Sequence, residues 1–337
     1  MTELSLSSIW TLTNGMAGFE VQTGAVASLV AQANNLPETA ISRKTVTLSA
    51  PYSWLAPYGP AQPQADCTPP YPDVLIASGR RAVPLARHIK KASGGACFTV
   101  ILQNPRIAPH HFDLVWAPEH DTLRGENVIT TLLSPHGLTH DNLNQAASEW
   151  TEKIPAGADQ KRIGVLIGGP NKIYDFPKAD VVKLVQALTQ LCEAGHFVMV
   201  SLSRRTPGWV EEQLGQALSG HHHFLWAPHH GGDNPYRGIL GLADAMLVTC
   251  DSVNMVGEAC ITGVPVLIQE LEGGSKRFDR FHKAVNATGH AAFLTPETLA
   301  PLCTTPFPPR LESGLNSTPE IAGKIIDALR KRPQNSL

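Results

Sequence analysis

A chain of 337 residues with 42% hydrophobic and 17% charged residues is ordinary globular material, longer than one hydrophobic core usually organises, so two domains are expected. Its formal net charge of −2, without a clustered Lys/Arg stripe, excludes the electrostatic footprint of a nucleic-acid binder. No run approaches the roughly 20 apolar residues of a spanning helix, and the opening MTELSLSSIWTLTNG has an acid and no cationic region, so neither a membrane span nor a signal peptide is expected.

Short apolar runs alternate with segments of helical period, the pattern of a parallel sheet covered by helices. The first half gives the strand SSIWTL, a loop and helix over TNGMAGFEVQTGAVASLVAQA, and the strands KTVTLS and DVLIAS. A loop and helix over GRRAVPLARHIKKA follow, then the strands CFTVIL and FDLVWAP. The polar stretch EWTEKIPAGADQKR, residues 149–162, reads as a hinge. The second half restarts with RIGVLIGGPNK, a helix over ADVVKLVQALTQLCEAG, the strand HFVMVSLSRRT, a helix over GWVEEQLGQALSG, HHFLWAP, the loop HHGGDNPY and a helix over RGILGLAD. Then come a strand over AMLVTC, a helix over NMVGEACITG stopped by Gly263, and the strand VPVLI; a last helix over STPEIAGKIIDALRKR closes the chain, with Ser317 or Thr318 as cap and Pro319 in its first turn. The expected division is 1–150, a linker at 151–162, a second domain at 163–316, and a terminal segment at 317–337. The six cysteines form no C-x-x-C pair and several sit in apolar runs, as expected of reduced, structural thiols in the cytosol.

In parallel sheets, ligands bind beyond the carboxyl ends of the strands. Four loops at that end of the second domain carry the chemistry. After AMLVTC come Asp251, Ser252 and Asn254 at a helix start, where free backbone N–H groups and the helix dipole favour an anion, and Glu258 lies about a turn and a half further on, placed for a sugar diol. The same residues also read as a simple cap and a surface acid. IGGPNK offers Gly168 and Gly169 for close backbone approach, with Asn171 and with Lys172 for phosphate. SRRT supplies Ser203 and the guanidiniums of Arg204 and Arg205, and GGDNPY supplies Asn234 and Tyr236.

Taken together, GGPNKIYDF, SRRTP, GDNPYRGILGLADAMLVTCDSVNMVGEA and GVPVLIQELEGGSKRFDRFH resemble the family of the plant mitochondrial-fission factor named for elongated mitochondria, whose bacterial members are described as glycosyltransferases by similarity. DVLIASGRRAVPLARHIKK, ILQNPRIAPHHFDLVWAPEHD and NGMAGFEVQ extend the resemblance over nearly the whole chain. It implies the GT-B class: two Rossmann-like α/β domains facing a cleft, a nucleotide-sugar donor on the second, an acceptor on the first, and a carboxy-terminal helix crossing back to the first. It makes Ser252, Asn254 and Glu258 donor-site residues and adds Gly274, Ser275 and Lys276. On the acceptor or membrane side it points to Gly15, Gly18, Gln22 and Arg80. Where the family often shows Asp-Gly-Lys-x-Gly-His-Glu-x-Gln, this chain has Asn14, Met16 and Phe19 in place of the Asp, Lys and His, and keeps Glu20 and Gln22.

For transfer of a sugar, Lys172, Arg204, Arg205, Lys276 and the helix start are expected to stabilise the leaving diphosphate without a metal, since the chain has no Asp-x-Asp handle. His120, in APEHD after FDLVWAP, is the first candidate for the base because an imidazole exchanges protons near neutrality; Asp121 is its orienting partner and Glu20 the second choice. The histidines at 221–223, 229 and 230 match no tight metal motif, so no metal and no cofactor beyond the nucleotide-sugar substrate are expected. The segment 48–72, rich in aromatics and proline, is either a rigid loop or, through Tyr52, Trp54, Leu55 and Tyr58, a membrane contact beside a lipid-linked acceptor. The leading expectation is a cytoplasmic glycosyltransferase acting on an unknown cell-envelope acceptor, peripheral to the inner membrane face; a non-catalytic membrane adaptor and a sugar-nucleotide epimerase are the alternatives.

Overall fold

A computed structural model describes residues 6–157, 159–304, 306–311 and 313–332. The chain divides into two compact units, residues 1–137 with 317–337, and residues 138–316.

Unit 1 carries β1 (Ile9–Thr13), β2 (Ile41–Thr45), β3 (Val74–Ser78), β4 (Phe98–Leu102), β5 (Leu114–Pro118) and β6 (Val128–Thr131), with helices α1 (Ala17–Ala33), α2 (Tyr52–Leu55) and α3 (Val83–Ala92). The strands form one parallel sheet in the order β2-β1-β3-β4-β5-β6. Alternation along β3 decides the packing: Val74 and Ile76 face a core shared with Val26 and Val30 of α1, whereas Leu75 and Ala77 face Leu85 and Ile89 of α3. The strand expected over KTVTLS begins three residues earlier, at Ile41, because this edge strand pairs only with β1 and turns its Arg43 and Thr45 side chains to solvent. The hydrophobic pattern gave no signal for β6 at the opposite edge, half-buried over Val128–Thr130 and buried only at Thr131.

Unit 2 carries α4 (His140–Trp150), β7 (Arg162–Ile167), α5 (Lys178–Glu193), β8 (Phe197–Leu202), α6 (Gly208–Leu218), β9 (His223–Trp226), α7 (Tyr236–Leu242), β10 (Ala245–Thr249), α8 (Val253–Cys260), β11 (Val266–Gln269), α9 (Lys276–Ala287), β12 (Ala291–Phe293) and α10 (Pro296–Leu299). Its parallel sheet runs β12-β11-β10-β7-β8-β9. Chain progress reverses between β7 and β10, so their carboxyl ends open a crevice at a topological switch point.

The boundary falls at Gly137, not at 151–162. The reason is α4, a helix that the sequence reading left out, which starts on a Thr139/Asn142 capping box and packs on α7. A Cβ on Gly238 would strike the Trp150 ring, and one on Gly241 would strike the Leu143 carbonyl. These two glycines let the α7 backbone approach the Trp150 side chain at one point and the α4 backbone at the other. Gly241→Val should therefore cost about 2–3 kcal/mol, readable as a lower denaturant midpoint; an unchanged midpoint would mean that α4 is free to move away.

The terminal helix α11 (Thr318–Arg330) belongs to unit 1, where Ile321, Ile325 and Leu329 join the core beside α1. Thr318 Oγ1 fixes its start, accepting from the His136 N–H at 2.9 Å and donating to the His136 carbonyl at 3.0 Å. Among the described residues no helix is long and apolar enough to cross a membrane, and all six cysteines are free thiols.

Candidate functional site

The loops leaving β7 and β10 meet at the switch point of unit 2. Asp251 sits between them with its carboxylate withdrawn from solvent. One oxygen accepts from the Thr249 hydroxyl at 2.7 Å. The other accepts from the Gly169 N–H at 3.1 Å and pairs with Arg205 Nη2 at 2.7 Å. Thr249 in turn accepts from the Gly168 N–H at 2.8 Å. Arg205 continues the clasp, donating through Nη1 to the carbonyls of Gly169 at 2.7 Å and Pro170 at 3.3 Å. A buried carboxylate holding this many donors is fully compensated, and it ties three loops into one rigid floor.

This changes the roles expected for four residues. Gly168 and Gly169 give close approach to the protein itself: a Cβ at 168 would fall on the Asp251 carboxylate and one at 169 on the Arg205 backbone carbonyl. Arg205 and Asp251 pair with each other, with the Arg205 side chain 42% exposed. Thr249 and Thr206, whose hydroxyl bonds the Ile167 and Gly168 carbonyls, had no role among the sequence-based expectations. A Thr-x-Asp at a strand end, Thr249 and Asp251, was the available signal.

The neighbouring turns are self-contained. Asn171 Oδ1 accepts from the Ile173 N–H at 2.8 Å and the Tyr174 N–H at 3.0 Å, while its Nδ2 donates to the Asp251 carbonyl at 3.2 Å. Gly274, at φ +104°, donates its N–H to the Ile173 carbonyl at 2.8 Å, and Tyr174 forms an isolated bridge with Gly273. The 171–174 and 273–276 loops are thus brought together. Ser275 caps α9 by accepting from the Phe278 N–H, and Lys172 and Lys276 are exposed.

Beside this floor lies a pocket of about 310 Å³ at the ends of β7, β8 and β9. Ile167, Leu202, Trp226, Pro228 and Met255 give it apolar walls, and Ser203, Arg204, Asn234 and Tyr236 its polar rim. Trp226, Pro228 and Met255 were not picked out by type, because each reads as core until the strand ends are known. Asn234 Oδ1 accepts from the Tyr236 N–H at 3.0 Å, which holds the loop against the first turn of α7. Ser203 Oγ likewise accepts from the Arg205 N–H at 3.1 Å.

Ser252 is the N-cap of α8 and accepts from the Met255 N–H at 3.3 Å; Asn254 is exposed on the first turn. Glu258 projects from the same helix and accepts a hydrogen bond from the Tyr236 hydroxyl. Burial raises the Glu258 carboxyl above the usual carboxylate range, against the lowering effects of the Tyr236 bond and of Arg237. Burial, and then the Glu258 charge, push the Tyr236 phenol well above its ordinary value. Glu258 is therefore no surface acid: it is a largely withdrawn carboxylate fixed to a residue of the pocket wall.

The acid–base candidates all lie in unit 1. His120 is buried. Asp121 Oδ1 accepts from the Leu123 N–H at 3.0 Å and from Asn104 Nδ2 at 3.3 Å, bonds that close its own loop. Glu20 is exposed on α1. Gln22, expected on the acceptor side, is buried instead, its Oε1 accepting from Gln103 Nε2 at 3.0 Å; it faces inward because α1 turns that side to the sheet. Gly15, at φ +78°, and Arg80 sit on the loops leaving β1 and β3, and the exposed Gly18 on the first turn of α1, at the switch point of this sheet. Trp54 is 78% exposed.

The histidines separate into two groups. His222 stacks edge-on to Phe197, and His223 Nδ1 bonds the His221 carbonyl. His229 and His230 converge on Glu211, with Nε2 to carboxylate distances of 3.3 Å and 2.6 Å. Nδ1 of His230 accepts from the Ala227 N–H, so its proton is on Nε2 and points at Glu211. This is a hydrogen-bonded cluster in its present form.

Two Rossmann-like units, with a built crevice at the switch point of the second, define the GT-B architecture. Solved structures share it: a UDP-GlcNAc 2-epimerase from Neisseria meningitidis bound to UDP-GlcNAc has a TM-score of 0.54 at 14% identity, over 96% of this chain and 100% of that one. A glycosyltransferase from Rickettsia africae gives 0.54 at 9% identity, over 97% and 99%. The family model described as "Mitochondrial fission ELM1" matches residues 17–329, and the chain belongs to that family. Mitochondrial fission protein ELM1 of Arabidopsis thaliana is 28% identical over 244 residues, which cover 65% of this chain and about half, 56%, of the plant protein's length.

Proposed function

We propose that unit 2 binds a nucleotide-diphosphate sugar and that the protein is a glycosyltransferase. The observation carrying this reading is the pairing of an apolar, tryptophan-walled slot with a capped helix start and a withdrawn glutamate at one switch point. A flat base fits the slot between Trp226, Pro228 and Met255; the ribose diol reaches the Glu258 oxygen that Tyr236 leaves open; the diphosphate meets the start of α8. Lys172, Arg204 and Lys276 are the exposed cations for the charge that develops on the leaving diphosphate, and Asn254 adds a donor. Arg205 and Asp251 act beneath it, by shaping the 168–172 loop. On unit 1, His120 is the proposed acceptor of the hydroxyl proton. The acceptor substrate is a lipid-linked or cell-envelope hydroxyl compound reached from the cytoplasmic side of a membrane.

A sugar-nucleotide epimerase is the second reading, favoured by the likeness to the Neisseria enzyme at the same TM-score as the transferase. A thermal-shift screen with UDP, GDP, CMP, ADP and dTDP and their sugars tests both. A ligand held at a hundred times its Kd stabilises by about 2.7 kcal/mol, so one base should raise Tm clearly. Product analysis with that donor then separates transfer from epimerisation. No shift with any nucleotide would reject both enzymes in favour of a non-catalytic adaptor.

A further inference from the structure

Among the described residues eight large hydrophobic side chains are left exposed, and five of them, Met16, Val21, Trp54, Leu55 and Tyr58, fall in unit 1 between residues 16 and 58. The sheet places them together. Because its strands are all parallel, the loops leaving β2, β1 and β3, which are neighbours in that order, emerge at one end. The 14–21 stretch follows β1, the 46–73 loop follows β2, and Arg80 and Arg81 follow β3. Contacts confirm the adjacency: Gly79 lies against the Phe19 ring, and Arg87 of α3 donates to the carbonyls of Gly59 at 2.7 Å and Tyr58 at 3.3 Å.

The projecting turn α2 is held, not loose. Ser49 N–H donates to Gln62 Oε1 at 2.9 Å and Gln64 Nε2 donates to the Thr47 carbonyl at 3.1 Å, closing the base of the loop. From it Trp54 and Tyr58 stand 78% and 70% exposed, with Leu55 at 47% between them. Such a fixed apolar projection has already lost the freedom that insertion would cost. A soluble partner needs a groove matched to the projection, whereas a bilayer accepts any narrow apolar wedge and suits Trp and Tyr at its boundary. The charge agrees: among the described residues Arg80 and Arg81 are exposed and form no ion pair, and of the three carboxylates on these loops, Asp66 lies 3.8 Å from Lys44 and Asp73 accepts from the Ser7 and Ser8 N–H groups, which leaves Glu20 as the one exposed acid without an ion pair.

We propose that this end of unit 1 is a docking surface for an anionic phospholipid bilayer, with Trp54, Leu55 and Tyr58 inserted at the headgroup boundary and Arg80 and Arg81 on lipid phosphates. It deepens the membrane contact in the reading above by naming the surface, and it stands on unit 1 alone.

The test is co-sedimentation of the full chain with phosphatidylcholine vesicles and with vesicles containing phosphatidylglycerol. Wild type should bind the anionic vesicles, more weakly at high salt. Trp54→Ser/Leu55→Ser/Tyr58→Ser should lower the partition coefficient by about tenfold or more, and Arg80→Glu/Arg81→Glu should lower it and flatten the salt dependence. Circular dichroism checks the fold of each variant. Failure of wild type to bind, or undiminished binding by the triple variant, overturns the proposal. So does a wild-type dimer that the triple variant dissociates, since a second copy would then cover the patch. Nucleotide-induced Tm shifts on the same proteins keep the two readings apart: vesicle binding without any shift rejects the donor site and leaves the docking surface standing.

Discussion

Asp251→Ala is expected to be the most damaging single substitution in unit 2. It leaves the Gly169 N–H and the Arg205 guanidinium without the carboxylate they share, and it removes the acceptor of the Thr249 hydroxyl. Removing one partner of a fully buried pair costs about 3–5 kcal/mol. Arg205 keeps 42% of its side-chain surface in water, which offsets part of the loss, so about 2–3 kcal/mol is expected. Calorimetry should show Tm lower by roughly 5–10 °C. Nucleotide binding should disappear with it, because the 168–172 loop loses its floor. A variant with wild-type Tm would mean that the clasp is ornamental and that other contacts hold the loop. Asp251→Asn, which keeps the shape and an acceptor but loses the charge, should fall between the two.

Glu258→Gln should separate stability from binding. A carboxyl raised by burial binds its proton more tightly in the folded than in the unfolded chain. Its contribution is therefore fully present below the unfolded value, 4.5, and is lost as pH rises through the higher folded value. Glutamine is neutral throughout and escapes that loss. Relative to wild type, the variant should gain stability as pH rises from about 4 to 7, the gap opening above the ordinary carboxylate range. In the proposed site the ionised carboxylate accepts the ribose hydroxyls, and hydrogen bonds to a charged group contribute about 1.5–3 kcal/mol. Nucleotide-sugar affinity should fall by roughly tenfold to a hundredfold. Titration calorimetry at pH 7 with the base found in the screen measures it. Equal affinity would remove Glu258 from the donor site, and a constant stability gap across pH would show that the carboxyl is solvated after all.

Local pattern made much of this protein legible. Runs such as DVLIAS and AMLVTC are apolar on both sides because both faces of each sheet are covered, and the glycines and polar residues that stop them mark the ligand end. Two α/β units, the SRRT, GGPNK and CDSVN loops, and the Ser252 cap all follow from that reasoning, since each rests on residues close together in the chain. The weakly patterned elements did not: β6 is a half-buried edge strand, and α4 is recognised by what Gly238 and Gly241 leave room for on α7.

What only tertiary structure decided is how each polar group is used. Gly168 and Asp251 are 83 positions apart, and nothing in either sequence window says that one makes room for the other. Arg204 and Arg205 are indistinguishable as letters, yet one rims the pocket and the other is spent on a buried carboxylate. Gln22 looks like an acceptor-side donor and is buried against Gln103, while Trp54, which by its loop's composition could equally pack on its own domain, stands in water. Sequence sets which groups are present and at which end of a strand they emerge; the desolvation of a charge and the partner that compensates it depend on distances between segments remote in the chain.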